Sequence, residues 1–274
     1  MITRKELAKM IDHTELKASS GKKKIKKLCE DAVNFGFYSV CINSCHTKFA
    51  SDILKNTNVE VCVVAGFPLG ANKTEVKAAE AKKAVEDGAG EIDMVINNGL
   101  LREGDYEYVE RDIRKVVEAS YPAHVKVILE NCYLTNEQIV KGCEISVSTG
   151  AKFVKTSTGF GAFGALPEHV KLMRETVGAN IGVKAAGGIK NFKDTWRLIK
   201  AGANRIGASA GVSILEGLSL YKYAEDAWLE PEIPCHICPA RHVSITSVPK
   251  SIFKYYKKRC SNCKYKNKYN KFYE

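Results

Sequence analysis

Long apolar stretches are missing from this 274-residue chain; the longest, residues 61–67, is far too short to cross a bilayer. The opening Met1-Ile2-Thr3-Arg4-Lys5-Glu6 lacks the apolar segment of a secretory leader. On these two absences a cytoplasmic protein with no membrane partner is expected. No short internal repeat appears beyond an alternation of β and α patterns, so a repeat array is excluded. Acidic residues are scarce in one place only. Residues 231–274 hold two acids against ten Lys/Arg, and so carry +8 of the chain's +11. The other 230 residues, with 32 basic and 29 acidic groups, are nearly balanced. An asymmetry of this kind marks a separate interaction module.

What is present is enough for a globular core: 45% of the residues are apolar. Candidate strands fall at residues 10–13, 38–43, 59–65, 91–96, 124–130, 152–156, 181–185 and 204–208. Helical spacing of apolar residues fills stretches such as 74–86, 106–119, 135–148 and 167–177 between them. Thr135 followed by Glu137 gives a start signal, and Gly88 and Gly150 give stops. Eight β/α units in about 220 residues fit a parallel (β/α)8 TIM barrel better than an open sheet. The basic run Lys22-Lys23-Lys24-Ile25-Lys26-Lys27 reads as the solvated face of a helix. Six of the ten cysteines (Cys29, Cys41, Cys45, Cys62, Cys132 and Cys143) sit singly and are expected as buried reduced thiols.

Two lysines stand out because a buried ammonium loses its hydration. Lys155 closes the candidate strand in Lys152-Phe153-Val154-Lys155-Thr156-Ser157-Thr158-Gly159, and Lys184 closes that in Ile181-Gly182-Val183-Lys184-Ala185-Ala186-Gly187-Gly188. A free lysine is only about 0.04% neutral at pH 7. A second positive charge at about 5 Å, with an effective dielectric near 20, costs an ammonium about 3 kcal/mol. That lowers its pKa by roughly two and frees a nucleophile for aldehydes and ketones. The pair therefore points to Schiff-base chemistry. Asp93, inside the fourth candidate strand, is placed to relay protons. Asp12, Lys126 and Glu130 are further strand polar groups expected to form a supporting ion network, and Cys41 is a candidate pocket-lining thiol. Gly187-Gly188 after strand seven and Gly207-Ala208-Ser209-Ala210-Gly211 after strand eight suggest a backbone cradle for phosphate.

These motifs resemble the deoxyribose-phosphate aldolase family of class I Schiff-base aldolases. The likeness runs through Ile11-Asp12-His13-Thr14, Glu91-Ile92-Asp93-Met94-Val95-Ile96-Asn97, Phe153-Val154-Lys155-Thr156-Ser157-Thr158-Gly159, Val183-Lys184-Ala185-Ala186-Gly187-Gly188 and Arg205-Ile206-Gly207-Ala208-Ser209. It covers about residues 1–225. The resemblance implies a (β/α)8 barrel that reversibly cleaves 2-deoxy-D-ribose 5-phosphate without metal or organic cofactor. By that likeness Lys155 forms the imine, Asp93 relays protons and Lys184 tunes the nucleophile. Gly159, Gly187, Gly188 and Ser209 hold the phosphate. Phe160 stands where some members have a lysine, and Ala210 where many have a second serine. A Schiff-base aldolase for another sugar phosphate is the rival reading within enzymes.

The resemblance stops near Leu229, which divides the chain into a barrel, 1–228, and a basic cysteine-rich tail, 229–274. Cys235-x-x-Cys238 and Cys260-x-x-Cys263 have the spacing of a four-cysteine structural zinc site in a zinc-ribbon-like appendage. With few aliphatics in the tail, a metal staple replaces a core. Lys254-Tyr255-Tyr256-Lys257-Lys258-Arg259 and Lys264-Tyr265-Lys266-Asn267-Lys268-Tyr269 interleave cations with aromatics, a pattern that also fits nucleic acid or another acidic partner. The expected partners of the barrel are a small sugar phosphate and further copies of the chain in a homo-oligomer.

Overall fold

The computed structural model describes residues 2–226, with side chains through residue 218. The tail with Cys235, Cys238, Cys260 and Cys263 and its cation–aromatic runs lies outside the described residues. In chain order the elements are α1 (Arg4–Ala8), β1 (Ile11–Glu15), α2 (Lys22–Phe35), β2 (Ser39–Ile42), α3 (Thr47–Leu54), β3 (Glu60–Ala65) and α4 (Thr74–Glu86). They continue through β4 (Glu91–Val95), α5 (Asn98–Glu103), α6 (Tyr106–Ser120), β5 (His124–Ile128), α7 (Asn136–Ser148) and β6 (Phe153–Lys155). Last come α8 (Pro167–Val177), β7 (Gly182–Ala186), α9 (Phe192–Lys200), β8 (Arg205–Ala208) and α10 (Gly211–Asp226).

The eight strands form a closed parallel barrel in sequence order, sealed by β8 on β1. Every expected strand is present within about two residues of its expected ends. Strands covered on both faces need near-continuous apolar runs, and β2, β4, β7 and β8 are buried at every position. Helix α2 buries Ile25, Leu28, Cys29 and Ala32 while its lysines at 22, 23, 24, 26 and 27 face outward. Each Ile or Leu so covered contributes about 1.5–3 kcal/mol. Helix α7 starts with a capping box, although Thr135 pairs reciprocally with Gln138 and not with Glu137. The box needs its acceptor at the third helical position, and Glu137 occupies the second. No described helix is long and apolar enough to cross a membrane.

Of the six cysteines expected inside, Cys29, Cys41, Cys62 and Cys143 are buried, Cys132 is half-buried and Cys45 is exposed. Cys45 lies in a single 3-10 turn, Ser44–His46, that follows β2 and buries none of its residues.

Candidate active site

Side chains alternate across a strand, so register decides which polar groups meet inside the barrel. Asp93 on β4 is aligned with Lys126 on β5, and Lys155 on β6 with Lys184 on β7. Asp93 is the hub. Its Oδ2 accepts from Lys155 Nζ at 2.7 Å and from Lys184 Nζ at 2.7 Å. Its Oδ1 accepts from Lys126 Nζ at 3.0 Å and from the Cys62 thiol at 3.1 Å. Lys184 also pairs with Asp12 Oδ2 at 2.5 Å, and Lys126 with Glu91 at 2.6 Å. Arg205 closes the ring, donating to Asp12 at 3.0 Å and to both Glu91 oxygens at 3.1 and 3.2 Å. Its guanidinium lies 3.5 Å over the Tyr38 ring. Asp12, Asp93, Lys126 and Lys184 are wholly buried, and Lys155 is 2% exposed.

Four cations thus face three carboxylates. Burial alone would raise Asp93, but Lys126, Lys155 and Lys184 outweigh it and hold the carboxyl well below its usual range. Asp12 is driven the same way: burial opposes ionisation, and Lys184, Lys126 and Arg205 overcome it. For Lys184 burial disfavours the ammonium, yet Asp12 and Asp93 hold its pKa well above the ordinary value. Lys184 is therefore a fixed charge. The simple picture of one lysine repelling its neighbour is amended, because a carboxylate oxygen bridges the two amines. Since each nitrogen is 2.7 Å from that oxygen, they lie at most twice 2.7 Å apart.

Cys62, Glu91 and Arg205 belong to this network and are not evident from sequence. Glu91 shares strand parity with Asp93, the one signal that finds it. Glu130 stands outside the ion network expected of it with Asp12 and Lys126. It adopts a left-handed backbone, φ 51°, unusual for a non-glycine residue. Its buried carboxylate accepts from the Thr158 backbone N–H at 3.2 Å and from the Thr158 hydroxyl. Glu130 therefore fixes the turn after β6. Cys41, fully buried, has its thiol 3.9 Å from Asp93 Oδ2.

That turn meets the loop after β7. Gly159, Gly187 and Gly188 have φ of 89°, 85° and 75°, a region open to glycine. A Cβ on Gly187 would meet Gly164 Cα at 3.0 Å and Gly159 Cα at 3.3 Å. Thr156 ties the two strand ends, donating to the Ala186 carbonyl at 3.2 Å and accepting from its N–H at 3.1 Å. Gly159 and Gly188 are exposed, and Ser209 is exposed in the turn before α10 on the next loop. Phe160, 57% exposed, meets Phe67 edge to face with ring centres 5.4 Å apart, an apolar rim beside the glycines. Two trios have the donors of a metal site: Cys41, Cys62 and Asp93, and Asp12, Cys62 and Glu91. The Lys126 ammonium already sits among them, 3.3 Å from Cys62 Sγ, and takes the place of a cation.

A (β/α)8 barrel whose strands converge amines on one buried carboxylate defines a lysine-bearing barrel enzyme suited to carbonyl chemistry. Comparison with known proteins gives the family. The model of the "DeoC/LacD family aldolase" matches residues 7–217, and the chain belongs to that family. It is an aldolase, and so a lyase. It is 58% identical over 214 residues to the deoxyribose-phosphate aldolase of Caldanaerobacter subterraneus subsp. tengcongensis, covering 77% of this chain and 92% of the relative. The corresponding enzyme of Aciduliprofundum boonei is 56% identical over 218 residues, with 79% and 98% covered. Among solved structures it resembles a putative deoxyribose-phosphate aldolase from Coccidioides immitis, with a TM-score of 0.77 and 41% identity, covering 80% and 87% of the two chains. The tetrameric deoxyribose phosphate aldolase of Aeropyrum pernix gives a TM-score of 0.75 at 34% identity, with 79% and 92% covered.

Proposed function

We propose that the chain reversibly cleaves 2-deoxy-D-ribose 5-phosphate to acetaldehyde and D-glyceraldehyde 3-phosphate through an imine on Lys155. The observation that carries the reading is the single Asp93 oxygen shared by Lys155 and Lys184, each at 2.7 Å. The relatives named for this activity, at 58 and 56% identity, support the choice of substrate. Lys155 first passes its extra proton to Asp93, 2.7 Å away. The free amine attacks the aldehyde carbon of the open-chain sugar, and Asp93 returns the proton to the carbinolamine hydroxyl, which leaves as water to give an iminium. The C3 hydroxyl then gives up its proton as the C2–C3 bond breaks. Those bonding electrons pass into the iminium and leave an enamine. Protonation at C2 and hydrolysis release acetaldehyde and restore the lysine.

Asp93 relays these protons through a water. At rest three ammonium groups hold it ionised and weakly basic. While Lys155 is the free amine or the neutral carbinolamine one of the three cations is gone, so the carboxyl can hold the proton it returns to the leaving hydroxyl. The ionised carboxylate then takes the C3 hydroxyl proton at the iminium stage. Lys184 keeps its charge beside the reacting nitrogen and tunes it. Asp12, Cys41 and Lys126 line the inner end of the site. The backbone at Gly159, Gly187 and Gly188, with Ser209, holds the phosphate dianion. The iminium is itself the electron sink, so the reaction needs neither metal nor organic cofactor.

Turnover of deoxyribose 5-phosphate, compared with fructose and tagatose phosphates in the presence of a chelator, tests the assignment. Turnover of the deoxy sugar alone is expected; preference for a ketohexose phosphate contradicts it. For residues 229–274 the cysteine spacing supports a separate, zinc-held domain, and about one zinc per chain by elemental analysis is expected. A metal-free preparation contradicts that part. The tetramer of the Aeropyrum pernix enzyme supports a homo-oligomer.

A further inference from the structure

We propose that the Cys62 thiol is a positioning residue: it donates its S–H to Asp93 Oδ1 and so reserves Oδ2 for Lys155 and Lys184. The inference rests on the assignment of Asp93 as relay and Lys155 as imine-forming amine. Cys62 lies on β3, wholly buried, with Sγ 3.1 Å from Asp93 Oδ1 and 3.3 Å from Lys126 Nζ. An ammonium only donates, so the sulfur accepts from Lys126, and its own proton is left for the carboxylate. Burial, contact with Cys41 and the Asp93 charge raise the Cys62 pKa well above the ordinary thiol value, which keeps that proton in place.

The other donor to Oδ1 is divided. Lys126 is also drawn to Glu91 at 2.6 Å and towards Asp12 at 4.0 Å. Cys62, by contrast, hydrogen-bonds to one carboxylate among the described residues, that of Asp93, although Asp12 and Glu91 lie within 4.8 Å. Without it Lys126 alone holds Oδ1, at 3.0 Å, and the plane of the carboxylate can tilt, taking Oδ2 out of line with the lysines. A relay needs one oxygen held in line with the reacting nitrogen, because misplacement of a catalytic group slows the chemical step more than binding.

The test is steady-state kinetics of Cys62→Ala, Cys62→Val and Cys62→Ser, each with its melting temperature and borohydride trapping of the wild type alongside. The serine variant keeps an O–H donor; alanine and valine lack one, and valine fills the space. The expected result is a loss of about tenfold in kcat with KM nearly unchanged for alanine and valine, and recovery to within about threefold for serine. Three results overturn the proposal: wild-type kcat in folded Cys62→Ala, equal losses in serine and alanine, or donorless variants that fail to fold while serine folds. The second makes the thiol a packing group, and the third makes its hydrogen bond a structural one. A wild type that yields no trapped Lys155 adduct instead tells against the imine assignment, so the two failures are distinguishable.

Discussion

Replacing Asp93 by Asn keeps the shape of the hub and removes its charge. In the native protein the carboxylate, wholly buried, receives Lys155 and Lys184 at 2.7 Å, Lys126 at 3.0 Å and Cys62 at 3.1 Å. An amide accepts at one atom only and turns its NH2 towards ammonium groups. Removing one partner of a buried ion pair costs about 3–5 kcal/mol. Lys126 keeps Glu91 at 2.6 Å and Lys184 keeps Asp12 at 2.5 Å, which limits the damage, whereas Lys155 loses the carboxylate at 2.7 Å. Taking about 4 kcal/mol, a domain of this size should melt roughly 8–16 °C lower. Calorimetry at pH 7 measures it. The pH dependence has a definite sign. The folded pKa lies well below the ordinary 3.8, because the three lysines outweigh burial. The stabilisation is therefore complete above the ordinary carboxylate range and is lost as pH falls through the lower folded value. The gap in Tm between wild type and Asp93→Asn should hold from pH 7 to about pH 5 and close in stronger acid. A variant that melts within about 2 °C of wild type at pH 7, or a gap that widens on acidification, refutes the reasoning.

Gly187→Ala places a Cβ 3.0 Å from Gly164 Cα at a φ of 85°. It should raise KM for deoxyribose 5-phosphate more than for unphosphorylated deoxyribose; equal effects on both would contradict the cradle. Outside the Asp93 network, Lys77 on α4 is wholly buried, 2.6 Å from the buried Asp112, and donates to the Val95 carbonyl at 3.0 Å at the end of β4, two residues beyond Asp93. Lys77→Met should cost about 3 kcal/mol in chemical denaturation, and Lys77→Met with Asp112→Leu should recover most of it. A double variant no better than the single one would show that the ammonium's hold on Val95, not the orphaned carboxylate, sets the loss.

The barrel was legible because its strands, such as Glu91–Val95 and Gly182–Ala186, are buried end to end and so appear as short apolar runs interrupted by lysines and carboxylates that are costly to bury. Lys155, Lys184 and Asp93 stood out for that cost. Cys62 did not, since a thiol in Val61-Cys62-Val63 looks like a small hydrophobe. Glu91 and Arg205 stand at strand starts, where a charge ordinarily faces water; Glu91 meets Lys126 across the neighbouring strands β4 and β5, and only barrel closure brings Arg205 against Asp12 and Glu91. Glu130 escaped for another reason. Strand parity from Lys126 puts it on the same face, but its left-handed backbone turns the carboxylate to Thr158. A positive φ at a glutamate carries no sequence signature.

Which amine reacts decides the mechanism. Borohydride reduction in the presence of deoxyribose 5-phosphate or acetaldehyde, followed by peptide mass mapping, tests that most directly. A reduced adduct on Lys155, with none on Lys184 or Lys126, is the predicted result. An adduct on Lys184, or no adduct from folded protein, would contradict it.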